Sequence, residues 1–391
     1  MPRIYLDYNA TTPVRPEVIE AMLPYLHTHF GNPSSVHWAG RRAKHGLEEA
    51  REQVATLIRA RAAEVVFTSG GTESNNLALW GVVQAVERQA QHIVTTAIEH
   101  ASVLQTVRSL GRAGCAVTVL PVDGEGRVRL EDLLSALRPE TTLVSIGLAN
   151  NEIGTIQAVP LFSRVLRQRG IVFHVDAVQG AGKLPLDVDA LGVDLLSLSA
   201  HKIYGPKGIG ALYIRKGTPF APLFRGGAQE RERRPGTENV AAAVGFGVAA
   251  ALAARELEAS AAHSLQLTTK LWQGIQERIA QVFLNGPEHD RLPNTLNISF
   301  AGASGEGLTM GLDLAGIAVS TGSACAAGAL EPSHVLLALG RDLRAAKSAV
   351  RFSVGKETTE QDVDYTLAVL PQIVERVRRA GRIEAGWHDE S

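Results

Sequence analysis

Leu195-Leu196-Ser197-Leu198-Ser199-Ala200-His201-Lys202-Ile203-Tyr204-Gly205-Pro206-Lys207-Gly208 carries an apolar run straight into a glycine-rich turn. The run is short and almost continuously apolar. It predicts a strand covered on both faces, as in a mostly parallel sheet between helices. Lys202 stands just past its end, and the chain has only eight lysines. An amine beside a hydroxyl, an imidazole and a tight turn suits a Schiff base with a carbonyl cofactor.

The rest of the first two-thirds repeats this pattern. Val65-Val66-Phe67 leads into a helical pattern from Thr72 to about Ala90, and Ile93-Val94-Thr95-Thr96 into one starting near His100. Val117–Leu120 precedes a helix over Leu130–Leu137, and Leu143–Ile146 one over Pro160–Gln168. Ile171–Val175 and the Leu195 run complete the series. Such alternation is the signature of an α/β fold. After about residue 258 the rhythm changes. Helices near 262–280 and 359–378 flank strands near 294–300 and 348–353, which predicts a smaller α+β lobe. The expected division is a large domain over 13–258 and a small one from 1–12 with 259–391.

Composition narrows the function. With 391 residues, 45% of them hydrophobic, the chain has material for two packed lobes. The 39 basic and 40 acidic side chains nearly cancel, which argues against nucleic acid and for a small molecule or a protein partner. Two cysteines, Cys115 and Cys325, give no disulfide framework and point to a reducing, cytoplasmic setting. The start has no signal-peptide core. The apolar stretch Val240–Ala254 falls short of the ~20 residues a spanning helix needs and reads as a buried helix.

In open α/β sheets, ligands gather at the carboxyl ends of the strands. After Phe67 comes Thr68-Ser69-Gly70-Gly71-Thr72-Glu73-Ser74, a glycine turn opening a helix. Its backbone N–H groups and the helix dipole would hold a phosphate. The following strands end at Glu99-His100, at Asn150-Asn151, at Asp176 with Gln179 a turn later, and at Ser199-Ala200-His201-Lys202. Singly, each has an ordinary structural use: an Asp here commonly caps the next helix. Together they supply what pyridoxal 5′-phosphate requires, namely an acid for the ring nitrogen, donors for the phenolic oxygen, a flat ring to stack and an amine.

The chain resembles the cysteine desulfurases of the NifS/IscS type, within the class V aminotransferase family of fold-type-I pyridoxal-phosphate enzymes. The resemblance runs over nearly the whole length. Besides the segments above it rests on Leu6-Asp7-Tyr8-Asn9-Ala10-Thr11-Thr12-Pro13, Asn150-Asn151-Glu152-Ile153-Gly154, His174-Val175-Asp176-Ala177-Val178-Gln179, Arg234-Pro235-Gly236-Thr237-Glu238-Asn239 and Thr321-Gly322-Ser323-Ala324-Cys325. It implies that Lys202 forms the Schiff base, His100 stacks on the ring and Asp176 pairs with the ring nitrogen. Gln179 and Asn151 then serve the phenolic side. Gly71, Thr72, Ser199 and His201 hold the phosphate, joined by Thr237 from the other subunit of a homodimer. Arg351, with Asn151, takes the substrate carboxylate. Gly71 stands where many relatives carry Ala, and Ala200 where many carry Gly. Both residues are small, so little chemical effect is expected.

Ser320–Ala329 contains no large side chain and is expected to move easily, giving a loop over about 316–331 that carries Cys325. Its length and motif resemble the group I desulfurases. The implied reaction converts L-cysteine to L-alanine. Lys202 and His100 handle protons, and Cys325 accepts the sulfur as a persulfide for an acceptor such as an iron–sulfur scaffold protein. Iron–sulfur assembly, tRNA thiolation and a nitrogenase pathway all remain open as destinations. No stable metal site is expected, Cys325 being at most a transient iron–sulfur ligand. The chain ends soon after Trp387, short of the tail with which some relatives contact a scaffold. Alternatives are a selenocysteine lyase or aminotransferase of the same family, or a binding protein of this fold without turnover. Cys115 is assigned no role.

Overall fold

The computed structural model describes residues 3–87, 90–321 and 332–388. The chain opens with β1 (Ile4–Tyr5) and then builds a seven-stranded sheet. Its strands are β2 (Val65–Thr68), β3 (His92–Thr96), β4 (Ala116–Leu120), β5 (Thr141–Gly147), β6 (Val172–Asp176), β7 (Leu195–Ser199) and β8 (Gly210–Ile214). The strand order is β2-β8-β7-β6-β5-β3-β4. All pairings are parallel except those of β8, which runs antiparallel to both β2 and β7. Because β8 reverses direction between them, the carboxyl ends of β2 and β7 lie on one edge. That edge also receives the ends of β3, β5 and β6.

The continuous apolar strands are explained by the two faces they serve. Val65, Phe67, Val94, Val144 and Leu196 pack into one core, while Val66, Ile93, Leu143 and Leu195 pack into another on the opposite face. Successive side chains alternate between faces, and both faces are dry. The helix predicted from Thr72 to about Ala90 spans Gly71–Ala85. It stops early because the Gln91 amide donates to the carbonyls of Val83 and Val86, both at 2.9 Å, and so satisfies the free helix end.

A second sheet pairs β9 (Val282–Leu284), β10 (Thr295–Phe300) and β12 (Ala349–Ser353) in the order β12-β10-β9, all antiparallel. β11 (Ile317–Ala318) pairs in parallel with β1, which fixes the N-terminal residues to this part of the molecule. The two helices expected around Val240–Ala254 and 262–280 are one helix, Val240–Arg278. The residues between them, Arg255-Glu256-Leu257-Glu258-Ala259, are strong helix formers with no glycine or proline. Its 39 residues span about 58 Å at the usual rise. The helix is long and apolar enough to cross a membrane, yet 61% of its apolar window is buried in the protein. Phe246, Ala249 and Ala250 belong to the large core, and Leu267, Leu271 and Ile275 to the core of the second sheet. Residue 258 thus lies inside a continuous helix.

Candidate active site

A cavity of about 360 Å³ opens at the carboxyl edge of the main sheet. Lys202 lies just past β7, in a short 3-10 turn, and its Nζ donates to the backbone oxygens of Asn9 (2.5 Å) and Ala10 (2.8 Å). These two carbonyls hold the amine at the cavity wall. His201 pairs through Nδ1 with the Thr11 hydroxyl at 3.1 Å. Its pKa is pushed down to about 4 by burial and by Lys202, Lys207 and Lys183, so the ring is neutral near neutral pH.

Asp176 ends β6. Its Oδ2 accepts from Asn75 Nδ2 at 2.7 Å and its Oδ1 from the Val178 N–H at 3.0 Å. Two fixed donors keep the carboxylate aimed. Asn75 Nδ2 also reaches the Ser102 hydroxyl at 2.9 Å, while its Oδ1 is buried without a partner among the described residues. His100 caps the helix Ala101–Arg112, its Nδ1 accepting from the Ser102 N–H at 3.1 Å and pairing with the Ser102 hydroxyl at 2.8 Å. The cap fixes the ring's position on the cavity wall. Beside it, Glu99 is buried and accepts from the Thr96 hydroxyl (2.6 Å) and the Gly147 N–H (3.0 Å). Burial pushes its pKa up to about 7.

The turn after β2 opens a shallower concavity lined by Ser69, Gly70, Gly71, Thr72, Ser199 and His201, among others. Gly70 takes φ +152°, which a side chain would resist. A Cβ added at Gly71 would stand 2.8 Å from Val178 Cγ2, so the turn and the loop after β6 are closely packed. An alanine at 71, as many relatives carry, would meet this contact, which nothing in the sequence marks. Glu73 accepts from the Ser69 N–H (2.7 Å) and from Arg234 Nε (2.8 Å), bracing the turn. Below it, buried Glu230 bridges Arg51 (2.6 and 2.8 Å) and the Phe67 N–H (2.9 Å).

The opposite wall comes from the second sheet. Arg351 on β12 is almost wholly buried; its Nη2 contacts Asp7 Oδ1 at 2.6 Å and its Nη1 donates to the Asn151 carbonyl at 3.1 Å. Its Nε is buried without a partner among the described residues. Asn9 ties the walls together: its Nδ2 donates to Asn151 O and Thr295 Oγ1, and its Oδ1 accepts from Asn294. Gln179 donates to Asn9 O at 3.0 Å and accepts from Lys183 Nζ at 2.9 Å.

The cavity is therefore lined by Gly71, Thr72, His100, Asn151, Asp176, Gln179, Ser199, His201, Lys202 and Arg351, all singled out in the sequence. Thr237 is exposed and lies outside this lining. Cys325 lies outside the described residues, within 322–331. The flanks of that segment touch the cavity wall: Ser320 pairs with Arg351 through the backbone, and His334 Nε2 pairs with Glu99 O at 3.0 Å. Among the described residues, no cluster of His, Cys, Asp and Glu could hold a metal. Cys115 is half-buried and its thiol pKa is raised by burial. Asp7, Asn9, Asn75 and Lys183 carry structural weight that sequence reasoning did not assign. Asn9 and Asp7 fall in a quoted motif, but nothing local marks their partners.

The aminotransferase class-V family matches residues 4–366. A cysteine desulfurase IscS of Dictyoglomus turgidum is 50% identical over 384 residues, 98% of each chain. A solved NifS-like protein superposes with a TM-score of 0.90 at 42% identity, covering 96% of this chain and 100% of its own. SspA, solved in complex with cysteine, gives 0.81 at 36% identity, covering 91% and 100%. The chain belongs to the aminotransferase class-V family, on its cysteine desulfurase branch.

Proposed function

We propose that the protein is a pyridoxal-phosphate-dependent cysteine desulfurase that converts L-cysteine to L-alanine and takes the sulfur onto Cys325 as a persulfide. The observation that carries this reading is the meeting of the Lys202 amine, the aimed Asp176 carboxylate and the His100 ring in one cavity, beside a glycine turn that opens a helix. The residues fit the cofactor. The turn offers backbone donors and a helix N-terminus for a phosphate, and Asp176 offers a fixed carboxylate for a protonated ring nitrogen. When bound, the cofactor supplies an electron sink for charge developed at the substrate α-carbon.

The chain's own groups do the rest. Lys202, steadied by the Asn9 and Ala10 carbonyls, is placed to hold and move the α-proton. Arg351, which lines the cavity, offers its guanidinium to the substrate carboxylate, and the Asn151 carbonyl keeps that group in register. His100 serves proton transfer near the substrate thiol. The Cys325 thiolate attacks the substrate sulfur: an S–S bond forms, the C–S bond breaks, and the carbon fragment leaves as alanine after taking up a proton. The alignment of flanking Ser320 and His334 with the cavity wall supports this assignment.

The active form is a homodimer in the cytoplasm. Exposed Thr237 is offered to the partner's phosphate turn, and the exposed Leu23, Leu26, Phe30 and Trp38 are apolar surface for a second copy to cover. The sulfur then passes to an acceptor protein. Mass spectrometry after exposure to L-cysteine tests the reading. One added sulfur on Cys325 with release of alanine is expected, and Cys325→Ser should abolish both while the cofactor's visible absorbance persists. Formation of a keto acid instead would overturn it in favour of transamination.

A further inference from the structure

Lys183 follows the turn after β6 and is used by none of the chemistry above. It is half-buried as a residue, its stem lining a small cavity behind Lys202. Its amine points inward, donating to the Gln179 backbone oxygen at 3.2 Å and to Gln179 Oε1 at 2.9 Å. The charged and titratable neighbours across that cavity are Tyr8, Arg15, Tyr204, Glu256 and Lys356. Glu256 is already taken by Arg15 (2.8 Å) and Lys356 (2.5 Å), and among the described ion pairs none involves Lys183. The other charges acting on it, Lys202 and Arg351, are of its own sign. Burial, then these two, bring its pKa down to about 7. An amine placed here at such electrostatic cost is held as a donor to Gln179.

The Gln179 carboxamide then has one permitted orientation. Its Nε2 donates to Asn9 O, the same carbonyl that accepts from Lys202, while its Oε1 faces the Lys183 amine. A flip would set the amide oxygen against the Asn9 carbonyl oxygen and, wherever Lys183 carries its proton, N–H against ammonium. We propose that Lys183 is a positioning residue, which by occupying the Gln179 carbonyl oxygen commits that side chain to present its N–H groups to the Asn9 carbonyl and to the cavity. This rests on the reading that Gln179 faces the phenolic oxygen of the bound cofactor. A fixed donor there stabilises the oxygen as an anion and lowers the proton affinity of the Lys202-linked chromophore.

The test is the pH titration of the visible band of the cofactor-loaded protein, a readout that a purely structural role would not move. Gln179→Leu should raise the titration midpoint. Lys183→Met should raise it about tenfold in proton affinity, and Lys183→Arg, which keeps a donor, should return it close to the parent. Adding Lys183→Met to Gln179→Leu should shift nothing further. A full Lys183→Met shift in the Gln179→Leu background would mean that the amine acts by its charge alone and overturns the proposal. So would a Lys183→Met midpoint equal to the parent's while Gln179→Leu moves. If Gln179→Leu itself moves nothing, Gln179 does not face the ring, and the inference falls with the reading beneath it.

Discussion

The main-sheet wall of the cavity takes each of its groups from a strand end or from the turn that follows. The opposite wall, formed by Asn9 and Arg351 and braced by Asp7 and Asn294, is held by bonds between residues as far as 344 positions apart. The first wall presents reactive groups on rigid supports. The second is a buried polar network in which each member satisfies another. Damage to the first should appear as lost chemistry, and damage to the second as lost binding together with lost stability.

The sharpest way to break this contrast is Lys202→Ala. It should lower alanine release from L-cysteine by more than about 10³-fold, the scale of a removed proton-transferring group, with the unfolding midpoint nearly unmoved. Arg51→Met probes the support beneath the glycine turn after β2. It strands the Glu230 carboxylate, both side chains being 2% exposed, and should cost about 3–5 kcal/mol in urea unfolding. A loss that small double variants (Arg51→Met with Glu230→Leu) failed to recover would show that the pair matters for more than charge balance. Arg351→Leu leaves Asp7 facing a void. Steady-state kinetics should show KM for L-cysteine up by about 100-fold and denaturation a loss of about 1–2 kcal/mol, since Asp7 keeps 17% exposure and part of its hydration.

The dependence on pH is subtler. Burial holds His174 near pKa 4 in the folded protein, against 6.5 unfolded. Between those values the unfolded chain binds the extra proton, so stability rises with pH by about 1.4 kcal/mol per unit. His201 adds a smaller rise of the same sign, being only partly buried. Glu99 acts oppositely. Its carboxyl holds its proton up to about pH 7 when folded and only to 4.5 unfolded, so its share of stability is lost as pH climbs through that window. Glu99→Gln removes the opposing slope, and urea midpoints between pH 4.5 and 6.5 should climb more steeply than in the parent. The smallest effect is expected at Gly71→Ala, about 1 kcal/mol from the contact with Val178, relieved when Val178 is also cut to Ala.

Much of the main-sheet wall was legible because its signals are local. An apolar run, a glycine turn and a polar residue at the run's end sit side by side in the chain, and the sheet's directionality brings those ends together. The helix Val240–Arg278 was half legible: its composition marks both halves, and the fold joins them through Arg255–Ala259. The Arg351–Asp7 contact and the Asn9 hub had no local signal at all. Each depends on which backbone carbonyl or carboxylate arrives from a distant segment.

The order of residues alone settled the alternation of strands and helices, the two-sided burial of the sheet and the chemistry gathered at its edge, since these follow from neighbours within a turn or two. Only the folded arrangement decided which way the Gln179 amide points, what neutralises Arg351 and why Glu99 keeps its proton. Those properties come from burial and from partners the fold brings in, as far as 344 positions away at Arg351. Desolvation and long-range charge exist only once the two walls have closed on each other.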